Sequence, residues 1–145
     1  MNVAEHDSVL PRDLIQAYRQ ARYRVHQGAG FTLAVNQYSA ELAALLHGRG
    51  AESAVFITAW NPLGVARRAE ENESRQLRLC EDLQARGLRA VPARGCDANG
   101  AWEGEDSLLV PGVSRFTTCE LGRLHEQNAV LWSGADAIPR LLLLR

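Results

Sequence analysis

The sequence predicts a single α/β domain that leans toward α+β. It should hold a mixed β-sheet of about six or seven strands and three or four helices. Three observations carry this. Ala54-Val55-Phe56-Ile57-Thr58-Ala59 is apolar with little polar alternation, as a strand buried on both faces is. A break at Asn61-Pro62-Leu63-Gly64 separates it from a long helical segment, Ala69 to Arg86. On either side, stretches with helical spacing alternate with short extended runs bounded by glycine, asparagine and proline.

Residues 1–9 are polar and read as a flexible N-terminal segment, with the domain spanning 10–145. Pro11 suits a helix start, and Leu14, Ile15, Tyr18 and Ala21 recur at helical spacing from about Arg12. Tyr23 to His26 and Phe31 to Val35 are extended. The Gly28-Ala29-Gly30 turn between them predicts a hairpin. Ser39 or Asn36 can cap the next helix, which carries Leu42, Leu45 and Leu46 and stops at Gly48-Arg49-Gly50. The central strand follows from about Ser53 to Trp60.

The helix from Ala69 opens with Glu70, Glu71 and Glu73, which favour its N-terminal dipole. Stepped at 100° per residue, Leu77, Leu79, Cys80 and Leu83 form its apolar face. Asn72, Arg75 and Gln76 lie on or beside that face one to two turns earlier. Gly87 ends it. Leu88 to Ala93 begins another strand, and Gly95 to Gly104 reads as a loop with a turn signal at Asp97-Ala98-Asn99-Gly100. Asp106 to Val110 is a strand. Ser114 or Thr117 caps a helix with Leu121 and Leu124. Ala129 to Trp132 and Arg140 to Leu144 pair as a final hairpin across Ser133-Gly134-Ala135-Asp136.

The whole chain excludes several classes. At 145 residues it can bury one core. Its 46% hydrophobic and 23% charged content is that of a soluble globular protein. No apolar run approaches the roughly 18–20 residues of a membrane span, and no secretory signal is visible, so a cytoplasmic location without membrane contact is expected. A net charge of −1 argues against holding nucleic acid by bulk electrostatics. All 16 basic residues are Arg, which fits composition bias. Cys80, Cys96 and Cys119 are odd in number and widely spaced, and four histidines show no ligand spacing. Neither a metal site nor a cofactor is expected. Phosphate-loop, dinucleotide, nucleophile-elbow and zincin motifs are all absent. His125 and Glu126, adjacent on one helix, point in different directions and read as surface residues.

What remains is a scattered polar set. Asn61 ends a strand, and Asn72 and Arg75 share one side of the next helix. Trp102, Glu105 and Ser107 border a loop-to-strand entry, and Gln127 and Asn128 precede another strand. Each alone has a local explanation as a turn, cap or helix terminator. In α/β sheets, however, sites gather at strand ends, and Asn61 fits that rule. The eight residues together are the candidate ligand site, with Arg75 as an anion fork. Arg75 and Glu105 could equally be a structural ion pair.

These residues also carry a resemblance. Ala17-Tyr18, Tyr23-Arg24-Val25, Ile57-Thr58-Ala59-Trp60-Asn61-Pro62 and Glu71-Asn72-Glu73-Ser74-Arg75 with Leu83 form its first part. Trp102-Glu103-Gly104-Glu105-Asp106-Ser107, Val110-Pro111-Gly112-Val113-Ser114 and Gln127-Asn128-Ala129-Val130-Leu131-Trp132 complete it. In order and spacing the chain resembles the bacterial domain of unknown function 3293 family, over nearly its whole length. It departs in carrying Trp60 where similar chains often have Tyr, and around Glu103 and Gly104, where similar chains tend to be shorter. The resemblance implies a compact α/β domain and no reaction. Two functions are expected to compete: a small-molecule or nucleotide-binding domain built on the polar set, and a non-catalytic interaction or regulatory module whose surface includes Arg67, Arg68 and the 95–104 loop.

Overall fold

The computed structural model describes residues 1–99 and 104–145. Eleven regular elements make three layers. They are α1 (Arg12–Gln20), β1 (Arg22–Val25), β2 (Phe31–Leu33), α2 (Ala40–Gly48), β3 (Ala54–Ile57), α3 (Ala69–Ala85), β4 (Val91–Cys96), β5 (Glu105–Pro111), α4 (Arg115–Leu124), β6 (Ala129–Ser133) and β7 (Arg140–Leu143). Short 3-10 turns occupy Glu5–Asp7 and Pro62–Gly64.

The seven strands form one sheet in the order β2-β1-β4-β5-β3-β6-β7. The α+β class and the element counts agree with the sequence. The pairing does not follow a mixed pattern: every neighbouring pair is antiparallel. β3 and β5 run in opposite directions although α3 and β4 lie between them in the chain, because β4 and β5 enter together as a hairpin. β3 lies between β5 and β6 with all four residues buried, as its unbroken apolar run requires.

Period-two alternation assigns the two faces. Val55 and Ile57 point with Val110, Val130 and Leu142 toward Leu79 and Leu83 of α3 and Cys119 and Leu121 of α4. Ala54 and Phe56 point with Leu109, Leu131, Val91 and Ala93 toward Leu42 and Leu46 of α2. α1 covers the same second face further along, where Ile15 meets Leu143 beside Leu14 and Leu141. At the N-terminal end, Val3 bridges to Leu143 and Arg19 pairs with Glu5.

The helix ends follow the capping residues. Ser39 Oγ accepts from Leu42 N–H and Ser114 Oγ from Thr117 N–H, each at 3.1 Å. β4 starts at Val91, later than Leu88, and runs to Cys96, so the stretch from Gly95 is ladder before it is loop. Gly95 pairs with Tyr23 on one side and Glu105 on the other.

His125 corrects the reading of a surface residue. Its side chain is only 12% exposed, and Nε2 lies 2.9 Å from Asp82 Oδ2. Arg86 Nε donates to Asp82 Oδ1 at 2.9 Å. Burial pushes the Asp82 carboxyl up, but the bonds from Arg86 and His125 outweigh it and hold it below the usual range. The contact ties the end of α4 to α3. Chemical denaturation of His125→Ala should show a loss of about 1 kcal/mol, the scale of one hydrogen bond. The stability that Asp82 contributes is present above the ordinary carboxylate range and is lost as pH falls through its lowered pKa.

Candidate functional site

α3 reads the end of β3. Beyond Ile57 the strand leaves its ladder, and its backbone N–H groups need new partners. Side chains four residues apart on α3 supply them. Gln76 Oε1 accepts from Ala59 N–H at 2.9 Å, and Asn72 Oδ1 accepts from Asn61 N–H at 2.8 Å. Leu79 and Leu83 continue the same stripe into the core. The polar first half and apolar second half of this helix face are therefore one docking surface.

Asn61 is fully committed. Its backbone is left-handed, at φ 46°. Its Oδ1 accepts from Asn72 Nδ2 at 2.8 Å and from Arg67 N–H at 3.1 Å. These bonds aim its Nδ2 at Glu105 Oε1, 3.3 Å away. Asn72, 2% exposed, thus positions Asn61, and Asn61 holds Glu105.

Glu105 opens onto a cavity of about 350 Å³ between α1 and the sheet. That volume falls in the range of small-molecule sites. The cavity sits at one end of the sheet. The last residues past β3, the start of β5, the end of β4 and the entry to β6 all meet there. Leu14, Phe56, Ala129, Leu131 and Leu141 give it an apolar lining. Glu105, Ser107, Asn61, Gln127 and Asn128 give it convergent polar groups. Ser107 Oγ donates to the Glu105 carbonyl at 3.0 Å. Gln127 Nε2 donates to the carbonyls of Trp60, at 3.3 Å, and His125, at 3.1 Å. Asn128 Nδ2 donates to Tyr18 Oη at 3.2 Å, while its Oδ1 accepts from Arg145 at 3.0 Å.

The electrostatics follow from burial. Burial pushes the Glu105 carboxyl up, and the Asn61 amide offsets this in part. Tyr18 is raised by burial, with Asn128 opposing and the nearby Glu105 adding to it. Tyr23 is raised further, again by burial first, with Tyr18 and Glu105 contributing. Its hydroxyl donates to the Tyr18 carbonyl at 2.5 Å.

Five of the eight candidates from the sequence therefore line one cavity, and Asn72 supports it from behind. Trp102 lies outside the described residues. Arg75 is a correction. It neither lines the cavity nor meets Glu105. Its guanidinium lies 3.6 Å from Glu71, one turn earlier, and 3.9 Å from Glu126 at the end of α4. Glu71 and Glu126 take up its guanidinium, so the expected Arg75–Glu105 pair does not form.

Tyr18, Tyr23, Thr58, Trp60 and Gly95 also line the cavity and were missed as site residues. Their signal was faint but present. A tyrosine in an otherwise aliphatic helix stripe is out of character for plain core, whereas Gly95 was hidden because the stretch from it reads as loop. Gly95 has no left-handed backbone to explain it. A Cβ there would meet only Ser107 Oγ, at 3.8 Å. The missing side chain leaves volume to the cavity.

The wall formed by 61–66 is shaped by backbone geometry. Leu63 takes φ 55° and donates its N–H to the Glu126 carbonyl at 2.6 Å. Gly64 takes φ 75°, and a Cβ there would lie 2.8 Å from Asn128 Nδ2. Among the described residues, no three His, Cys, Asp or Glu side chains gather as metal ligands, and no helix is long and apolar enough to cross a membrane.

Residues 57–130 match the family model described as "Protein of unknown function (DUF3293)". The match covers just over half of the chain and contains all eight candidate residues, Asn61 to Asn128. No curated protein and no solved structure matches the chain.

Proposed function

The chain belongs to the family of proteins of unknown function DUF3293, and we propose that it is a small-molecule-binding domain whose ligand occupies the cavity between α1 and the sheet. The observation that carries this is the cavity itself. About 350 Å³ of space is walled by apolar side chains, with a half-buried carboxyl and several amides converging on it. A purely structural polar cluster would have closed on itself. Here Asn61 and Asn72 do so, while Glu105 and Ser107 face open volume.

The nucleotide version of this reading weakens. Among the described lining residues none is Arg, so a phosphate would meet Glu105 and no cation. A compact ligand with an apolar body suits the walls better. The cavity also favours binding over the interaction-module reading, which does not call for such a space.

Filling the cavity tests the proposal. Gly95→Leu places a side chain in the open volume, and Gly95→Ala places a methyl there. Compounds that raise the wild-type melting temperature in a library screen should lose their effect in Gly95→Leu and keep part of it in Gly95→Ala. Both variants should retain the wild-type circular dichroism spectrum. Equal ligand responses in wild type and a folded Gly95→Leu would overturn the cavity as the binding site.

A further inference from the structure

We propose that the ligand is a compact organic amine, bound as its cation with the nitrogen on Glu105. The inference rests on the cavity being a ligand site, and adds the chemistry of the ligand.

Two features of the cavity, one electrostatic and one aromatic, point to the same charge. Glu105 is a carboxyl with one hydrogen-bond partner among the described residues, the neutral amide of Asn61 on Oε1. Its Oε2 meets no donor there. A ligand filling the cavity would take this half-buried carboxyl out of water, and carboxylates so placed are ordinarily matched by a basic group. Here the neighbouring basic groups are engaged elsewhere. Arg75 lies with Glu71 and Glu126, and Arg145 donates to the far side of Asn128. The missing partner is a cation that none of the described residues supplies.

The aromatic residues are the second feature. Tyr18 from α1, Tyr23 from β1, Phe56 from β3 and Trp60 just beyond it all line the same space. The chain has nine aromatic residues in all, so four in one cavity is a concentration. Tyr23 and Phe56 meet edge to face, with centroids 5.1 Å apart. Aromatic faces attract a cation most when it is out of water. Aromatic rings around a single carboxylate form a receptor for an ammonium group on an apolar stem.

The competing chemistries fit less well. A phosphate or carboxylate ligand would face Glu105 with no Arg among the described lining residues. A neutral apolar ligand would bury the carboxyl still further without a partner. A metal ion would find one carboxylate and no other anionic ligand among the described lining residues. An amine satisfies Glu105 Oε2 and the rings together, and leaves Ser107 Oγ and Tyr18 Oη for its remaining N–H bonds.

The test pairs each amine with its near-isosteric alcohol: 2-phenylethylamine with 2-phenylethanol, and cyclohexylmethylamine with cyclohexylmethanol. Isothermal titration at pH 7 should show the amine binding wild type roughly tenfold to hundredfold more tightly than the alcohol, the scale of a charge-assisted hydrogen bond. In Glu105→Gln that preference should collapse while alcohol binding stays within about threefold of wild type. Alcohols binding as tightly as amines would overturn the amine assignment and leave the cavity reading standing. So would an amine preference that survives in Glu105→Gln. Failure of both amines to bind at millimolar concentration would also overturn the assignment. The cavity reading falls with it only if Gly95→Leu answers the wider library as wild type does.

Discussion

Asn72→Ala is expected to destabilise the protein by about 2–4 kcal/mol, although Asn72 sits in the first turns of a surface helix. The side chain is 2% exposed and makes both halves of a reciprocal bond with Asn61. Alanine leaves the Asn61 N–H and its side-chain oxygen short of partners in a place water reaches poorly. Each group so stranded costs about 1–3 kcal/mol. Asn61 also holds a left-handed backbone that asparagine tolerates better than most residues but that still needs support. Urea denaturation of the two single variants and of Asn61→Ala/Asn72→Ala gives the coupling directly. The pair in contact should show at least about 1 kcal/mol of non-additivity. A loss below about 0.5 kcal/mol in Asn72→Ala would show that the pair does not hold this turn. Ligand response should fall with stability in Asn72→Ala, because Glu105 loses the amide that orients it.

Glu105→Gln should move stability the other way. Burial raises the Glu105 carboxyl in the folded protein, with the Asn61 amide opposing in part. A carboxyl whose pKa is raised on folding is held more tightly as its neutral form. Below the unfolded value, about 4.3, it is protonated in both states and carries no penalty. As pH rises through the raised folded value, the ionised form is increasingly disfavoured in the folded state and stability falls. Gln keeps the shape and the acceptor for Asn61 without the charge. The variant should therefore melt above wild type at neutral pH, by about 0.5–2 kcal/mol in stability, the usual gain when a functional site is relieved. That advantage should shrink to nothing near pH 4. A gain independent of pH would point to packing, and a loss at neutral pH would show that the ionised carboxyl is already paired. With the expected loss of amine preference, the result would mark Glu105 as a residue kept at a cost to folding.

Much of the fold was legible because its signals are local. Glycine, proline and capping serines mark the helix and strand ends, and Ser39 and Ser114 cap where they should. Projecting α3 showed Asn72 and Gln76 on the stripe that leads to Leu79 and Leu83, and that stripe docks on the end of β3. Asn61, Asn72 and Glu105 could be nominated because each is polar at the edge of an apolar element. Arg75 shows where such reasoning stops. Its position on the helix was right, but a long side chain goes to the nearest opposite charge. That charge came from Glu71 and from Glu126, a residue 51 positions away. His125 failed for the same reason, since its partner Asp82 comes from another helix.

By itself, the sequence determined the order and type of the elements, the burial of β3 on both faces and the polar character of its far end. These depend on periodicity and turn chemistry, which act over a few residues. Tertiary structure alone decided that all strands pair antiparallel, because pairing depends on which edges meet. It alone brought Tyr18, Tyr23, Phe56, Trp60 and Gly95 around Glu105, from four segments spread over the chain. A cavity is the space that packed elements leave between them, and no single segment encodes it.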